Sequence, residues 1–234
     1  MPGDPSNALL RVGPACQTAG VTATRPRLAP LVGLFIRLDP LTESDLPELF
    51  AAICHPIVFS KGYGGGLAHP PATEADFVEW AKGHYRFDTG IPYAVRLVGG
   101  PHAGEMVGTT TLGDFDTRLE AAHIGWTAYD PRVWGTAVNA EAKLLLLGLA
   151  FEQGFGRVKI QTDVLNTRSR AAIAGIGATF EGVLRRHMPR EDGTWRDTAV
   201  HSVIVDDWPQ VRKTLEERLA RYDGRPVLYR TRIE

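Results

Sequence analysis

The 234-residue chain has little cysteine, little methionine and almost no net charge. Its only thiols, Cys16 and Cys54, are too few and too far apart for a disulfide framework or a zinc site, so no metal is expected. Two thiols in a chain of this size suit a reducing compartment, and a cytoplasmic location is expected. A net charge of −1 removes the electrostatic case for nucleic acid or an anionic membrane surface. The longest strongly apolar run, Leu144 to Phe151, is interrupted by Gly148 and falls far short of the roughly 20 residues that span a bilayer. The first twenty residues lack the basic start and apolar block of a secretory signal. Two phosphate-binding signatures are also missing. There is no G-x-x-x-x-G-K-[ST], which excludes a kinase or GTPase loop, and no G-x-G-x-x-G after a strand, which excludes the dinucleotide fingerprint.

What is present fits one sizeable domain. The chain is 44% hydrophobic and 23% charged, ordinary globular values for a length that can bury a large core. Residues 1–30, rich in Pro, Gly, Ala and Thr without periodicity, are expected to be a flexible extension, with the domain over 31–220 and a tail over 221–234. Order is expected to begin with the strand pattern Gly33 to Leu38, before a helix opened by Thr42 with Asp45 as capping partner. The stretch "GYGGG", Gly62 to Gly66, has no helix start behind it and is expected to be a plain flexible loop. Thr73 opens a second helix. Tyr93 to Val98, Glu105 to Leu112 and Leu119 to Tyr129 read as meander strands, and Val158, Ile160 and Thr162 alternate as a half-buried strand. Asn166 caps a helix ended by Gly177, "PREDG" separates two hairpin strands, and Trp208 to Tyr222 form a final amphipathic helix. The alternation of meander strands and crossover helices predicts an α+β or mixed α/β sheet.

The stretch "PRVWGTAVNAEAKLLLLGLAFE", residues 131–152, carries the most chemistry. A turn runs into a helix expected over Asn139 to Gln153, with Asn139 as its cap and Leu144 to Leu147 in the core. A helix start presents unpaired N–H groups and the positive end of the helix dipole. Gly135 and Ala137 permit close backbone approach, and residues 132–140 contain no acid to repel a phosphate. The stretch is therefore either an anion cradle or a strand–turn–helix junction that binds nothing.

Arg132-Val-Trp-Gly135-Thr-Ala137 matches the R/Q-x-x-G-x-G/A acyl-CoA loop of the GCN5-related N-acetyltransferases (GNAT). The segment "IGWTAYDPRVWGTAVNAEAKLLLLGLAFE" resembles the strand, loop and helix core of their ribosomal-protein-alanine acetyltransferase branch. The segment beginning "DVLNTRSRAAIAGIGATFEGVLRR" resembles the next part of that branch. The resemblance spans about Gly33 to Trp208. It implies a splayed, mostly antiparallel sheet flanked by helices, with acetyl-CoA as co-substrate. It places the pantetheine beside the strand at Trp126-Thr127. It places the pyrophosphate on backbone amides from Trp134 through Gly135, Thr136, Ala137 and Val138 to Asn139. Asn166 and Ser169 then lie near the pantetheine arm, and Arg170 reaches a coenzyme phosphate or is a solvated helix residue.

The implied reaction is direct attack of a primary amine, a protein N-terminus or a small amine, on acetyl-CoA in a ternary complex. Such an attack needs an acceptor for the ammonium proton and donors for the oxyanion. Ser169 is the candidate on the thiolate side. Residues 166–177 contain no tyrosine acid, so one would have to come from Tyr63, Tyr85 or Tyr129. Strand alternation puts Ala122, Ile124 and Trp126 on one face and His123 with Gly125 on the other. His123 is the preferred base over His187, with Glu105, Asp197 and a solvent relay as alternatives. Arg185 and Arg186 either recognise an acidic acceptor group or are solvated. Cys54 and His55 point apart on a helix and form no nucleophile pair. A non-catalytic CoA-binding module and an α/β binder of another phosphate are the competing functions, and a homodimer through the late strands or last helix is compatible with the pattern.

Overall fold

The computed structural model describes residues 23–60, 62–65, 70–190 and 192–231. The elements run in the order β1 (Leu31–Val32), β2 (Ile36–Pro40), α1 (Leu46–Ile53), α2 (Pro56–Phe59), α3 (Glu74–His84), β3 (Ile91–Leu97), β4 (Met106–Asp116), β5 (Ala121–Tyr129), α4 (Ala137–Glu152), β6 (Arg157–Asp163), α5 (Thr167–Ala174), β7 (Thr179–Pro189), β8 (Trp195–Ile204) and α6 (Trp208–Ala220). The sheet order is β1-β2-β3-β4-β5-β6-β8-β7. Every neighbouring pair is antiparallel except β5–β6. The expected α+β architecture, a mostly antiparallel sheet flanked by helices, is the one observed. Among the described residues no helix is long and apolar enough to cross a membrane.

Period-2 side chains split the interior into two cores. Tyr93, Val95, Val107 and Ile124 pack with Val138, Leu146 and Leu147 of α4 and with Val211 and Leu215 of α6. Their strand neighbours Ala94, Met106 and Ala128 pack with Leu49 and Ile53 of α1 and Phe77 of α3 on the opposite face. The local signals place several helix starts as expected. Thr42 N–H donates to the Asp45 carboxylate at 2.8 Å at the start of the 3-10 turn Glu43–Asp45 that leads into α1, Thr73 Oγ1 accepts from Asp76 N at 3.1 Å, and Asn166 Oδ1 accepts from Ser169 N at 2.9 Å.

Three local expectations differ from the structure. Gly33 to Phe35 are not strand but the turn between β1 and β2, closed by Gly33 N–H donating to Ile36 O at 2.9 Å. The cap of α4 is Thr136 rather than Asn139, so the helix begins two residues earlier than expected; the Thr136 hydroxyl accepts from Val138 N. Trp126 does not share a face with Ala122 and Ile124. Opposite the single residue Thr110 of β4, β5 places both Trp126 and Thr127, and this bulge inverts the alternation beyond it. The Trp126 ring consequently lies 5.2 Å from the His123 ring, and Trp126 packs with the α1–α3 core while Ile124 packs with α4.

Described residues at both ends of the chain pack on the domain, while residues 1–22 of the expected N-terminal extension lie outside the described residues. Ala23 is buried, and Thr24 N–H donates to Gln153 O at 2.8 Å. Beyond α6, Val227 is buried in the α4 core, and Pro226 lies against Gly99 and Gly100.

Candidate active site

The site is set by where the sheet comes apart. β5 and β6 pair in parallel only from Ala121–Ile124 against Arg157–Ile160. Beyond that point β5 stays with β4 as far as Tyr129, and β6 stays with β8 as far as Asp163. A wedge therefore opens between Gly125–Tyr129 and Gln161–Asp163. The bulge sits at its apex, with Trp126 in the left-handed region at φ +48°. A non-glycine residue held there costs about 1–2 kcal/mol, so the surrounding packing must impose it.

The start of α4 closes one end of the wedge. Gly135 has φ +72°, a conformation natural to glycine, and its carbonyl accepts from the Tyr222 hydroxyl at 3.3 Å. The first turn of α4 carries no acid. Just upstream, the fully buried Asp130 binds Arg132 side-on, with Nε and Nη2 at 2.6–3.1 Å from its two oxygens. Arg132 therefore serves the loop as the partner of a buried acid, and its guanidinium also lies 4.0 Å over the Tyr229 ring. Trp134 fixes the loop through its indole N–H, which donates to Tyr129 O at 3.1 Å, and the Arg168 guanidinium lies 3.8 Å over its ring.

The start of α5 stands at the other side of the wedge. Asn166 spends its side-chain oxygen on capping Ser169 N, and Ser169 itself is in the first turn. Arg170 lies 6.0 Å over the Phe180 ring of β7, directed toward the late hairpin. Gly62 meets the end of β6, since a Cβ there would lie 3.2 Å from Asp163 Oδ2. The remainder of that glycine-rich loop, apart from Tyr63 to Gly65, lies outside the described residues.

His123 is 4% exposed and bonds Asp114 through Nδ1 at 2.9 Å. Its Nε2 is buried without a partner among the described residues, and a Cβ at Gly125 would lie 2.9 Å from that nitrogen. Burial pushes the imidazole below its ordinary value, against the pull of Asp114, while Lys159 and Lys143 push the same way as burial. A proton on Nδ1 satisfies the Asp114 carboxylate and leaves Nε2 as the second basic position of the ring. Asp114, held below the usual carboxylate range by that hydrogen bond, is a residue that sequence reasoning did not single out.

Of the alternative acids and bases, His187 bonds Thr198 through Nδ1 at 3.0 Å, Glu105 accepts from the Tyr229 hydroxyl, and Asp197 accepts from Arg186 N. Tyr63 and Tyr85 bond each other at 2.7 Å in the α1–α3 core, and burial raises the pKa of both, as it does for Tyr129. Arg185 and Arg186 line a groove of about 830 Å³ beside β7 with His187, Leu184 and Asp197.

Two charged residues of α4 were also missed. Glu141 and Lys143 are each 4% exposed within the apolar helix. Glu141 accepts from the N–H groups of Leu34, Phe35 and Ile36, each at 2.7 Å. Lys143 Nζ reaches Thr127 Oγ1 at 3.1 Å and Thr110 Oγ1 at 3.4 Å, directly behind the bulge. The only signal for either was a charge inside a run too apolar to face water. Among the described residues, no three His, Cys, Asp or Glu side chains gather as a metal site requires.

Known proteins share this fold. The model of the acetyltransferase (GNAT) domain family matches residues 36–179. A GCN5-related N-acetyltransferase from Brucella melitensis is 28% identical with a TM-score of 0.75, over 85% of this chain and 88% of that one. RimJ of Mycobacterium smegmatis, solved with CoA-disulfide, is 21% identical with a TM-score of 0.63, over 78% and 88%. The microcin C7 self-immunity acetyltransferase MccE, solved with acetyl-CoA and AMP, is 18% identical with a TM-score of 0.59, over 73% and 93%. No curated protein sequence matches the chain. With its splayed sheet, bulged central strand and acid-free helix start inside the matched region, the chain belongs to the GNAT acetyltransferases and is an N-acetyltransferase.

Proposed function

We propose that the protein transfers the acetyl group of acetyl-CoA to a primary amine, a protein N-terminus or a small amine, by direct attack in a ternary complex in the cytoplasm. The observation that carries this reading is the wedge between β5 and β6, with the bulge at its apex and the helix start at its mouth. The pantetheine lies along Trp126 and Thr127. The amides from Trp134 to Asn139 take the pyrophosphate, favoured by the α4 dipole. A backbone N–H at the bulge holds the oxyanion. RimJ with CoA-disulfide and MccE with acetyl-CoA share this fold, which supports the choice of coenzyme.

In this mechanism His123 Nε2 takes the proton of the incoming ammonium, directly or through water. Asp114 keeps Nδ1 protonated and stabilises the imidazolium that forms. The thiolate of CoA is met by Ser169. Arg185 lines the groove beside β7, where an acidic acceptor would be recognised.

Thiol release from acetyl-CoA across a panel of primary amines tests the reading. His123→Ala is expected to lower kcat/KM about 100-fold, the usual worth of a positioned base. Burial lowers the His123 pKa, so the acid limb of the parent's kcat/KM profile should lie below the free imidazole value of 6.5. An intact protein that binds acetyl-CoA but releases no thiol with any amine would make it a coenzyme-binding module instead. An acid limb that is unchanged in His123→Ala would remove His123 as the base.

A further inference from the structure

The segment after α6 runs back across the molecule to the turn that begins α4, and it holds that turn at several carbonyls. Arg230 N–H donates to Arg132 O at 2.9 Å, Arg230 Nη1 donates to Trp134 O at 3.1 Å, and the Tyr222 hydroxyl donates to Gly135 O at 3.3 Å. The segment is itself anchored alongside these contacts. Val227 is buried, the Tyr229 ring stacks on His102 at 3.9 Å, and the Tyr229 hydroxyl donates to Glu105. These residues lie beyond the stretch matched by the family model, which ends at 179.

We infer that this C-terminal strap is a working part of the coenzyme loop, with Arg230 as a positioning residue that aims the Gly135 N–H at the coenzyme's pyrophosphate. This inference rests on the proposed use of acetyl-CoA. Peptide planarity carries it. The peptide between Trp134 and Gly135 is trans, as are all those of the described residues, so the Trp134 carbonyl and the Gly135 N–H point to opposite sides. Arg230 pins the carbonyl on the strap side, which turns the N–H toward the wedge. Among the described residues that N–H has no acceptor, whereas Val133 N donates to Asp130 O and Thr136 N to Val133 O. Glycine at φ +72° has two-way conformational freedom, so without an anchor this peptide can rotate. Arg230 Nη1 also stands 3.1 Å from where a Gly135 Cβ would be, so the guanidinium lies directly against the backbone of the turn. Arg230 thus acts through the backbone, and its positive charge raises the local potential for an anion on the other side.

The test is calorimetric titration of the full-length parent and variants with CoA and with pantetheine, which lacks the phosphates. Arg230→Ala is expected to weaken CoA about 10-fold and leave pantetheine unchanged. Arg230→Lys, which can still donate to Trp134 O, should recover about half of that loss on a logarithmic scale, and Tyr222→Phe should weaken CoA about 3-fold. A strap that only supports the fold would lower the melting temperature and weaken both ligands alike. A strap that covers the site would give tighter CoA binding in Arg230→Ala. Either result overturns the inference, as does unchanged CoA affinity in a folded Arg230→Ala protein. A parent that binds no CoA would instead refute the proposed coenzyme, and would be distinguished by the first titration.

Discussion

Replacing Glu141 with alanine is expected to destabilise the protein by about 3–5 kcal/mol, because it strands three backbone donors, each worth about 1–3 kcal/mol when buried and unpaired. The carboxylate joins the second turn of α4 to the first turn of the sheet, receiving Leu34, Phe35 and Ile36 N–H at 2.7 Å each. For a chain of this size that loss corresponds to a drop of about 6–20 °C in melting temperature. Gln at this position supplies only one acceptor and turns an NH2 toward backbone donors, so Glu141→Gln should recover little. Gly33 gives an independent check. A Cβ there would stand 2.4 Å from Glu141 Cδ, so Gly33→Ala should be strongly destabilising in the parent. In the Glu141→Ala background the same substitution should cost much less. Additive losses in the double mutant, measured by denaturant unfolding, would show that the two positions do not share this contact.

Replacing Lys143 with methionine should stabilise the protein, and the gain should depend on pH. Burial holds this lysine down to about 7, far under its ordinary 10.5, and Thr110 and Thr127 supply hydrogen bonds but no opposite charge. Between about 7 and 10.5 the unfolded chain carries the proton that the folded chain lacks, so this group makes stability rise with pH across that window. Below about 7 the full penalty applies, with a ceiling of roughly 5 kcal/mol. The lost hydrogen bonds to the threonines, about 1 kcal/mol each, reduce the net gain to about 2–4 kcal/mol. The difference in unfolding free energy between Lys143→Met and the parent should therefore be largest at pH 7 and below and shrink toward pH 10. A pH-independent difference, or a destabilised variant, would contradict a depressed lysine. Lys143 and Lys159 both push His123 down, while Asp114 pulls it up. Removing Lys143 should accordingly move the acid limb of kcat/KM upward in pH.

These two residues also mark the limit of what the chain reveals before folding. Helices announced by adjacent signals were legible. Thr42 with Asp45, Thr73 and Asn166 cap helices where the pattern puts them, because a cap needs only its own first turn. The α4 cap was misplaced because Thr136 and Asn139 are both competent, and the choice depends on the turn held at Val133 by the Thr136 hydroxyl, 2.6 Å from its carbonyl. The face of Trp126 was missed because a bulge is a mismatch between two strands, and β5 alone does not show that Thr110 faces two residues. His123 was found as a titratable group near the splay. Asp114, its orienting partner, sits across a hairpin in a left-handed conformation that no local pattern predicts. Glu141, Lys143 and Arg230 depend on partners 107, 33 and 96 residues away, so only the assembled fold gives them meaning.

The turn before α4 is, on this reading, the anion cradle of an acetyl-CoA site. Titration of acetyl-CoA into the parent and into Gly135→Glu tests that claim most directly. A side chain at Gly135 must adopt φ +72°, and its Cβ comes within 3.1 Å of Arg230 Nη1, so the substitution strains the turn and adds a negative charge beside it. Micromolar-range binding is expected for the parent, with at least a 100-fold loss in Gly135→Glu and an unchanged far-UV spectrum. No binding by the parent, or equal binding by both proteins, would contradict it.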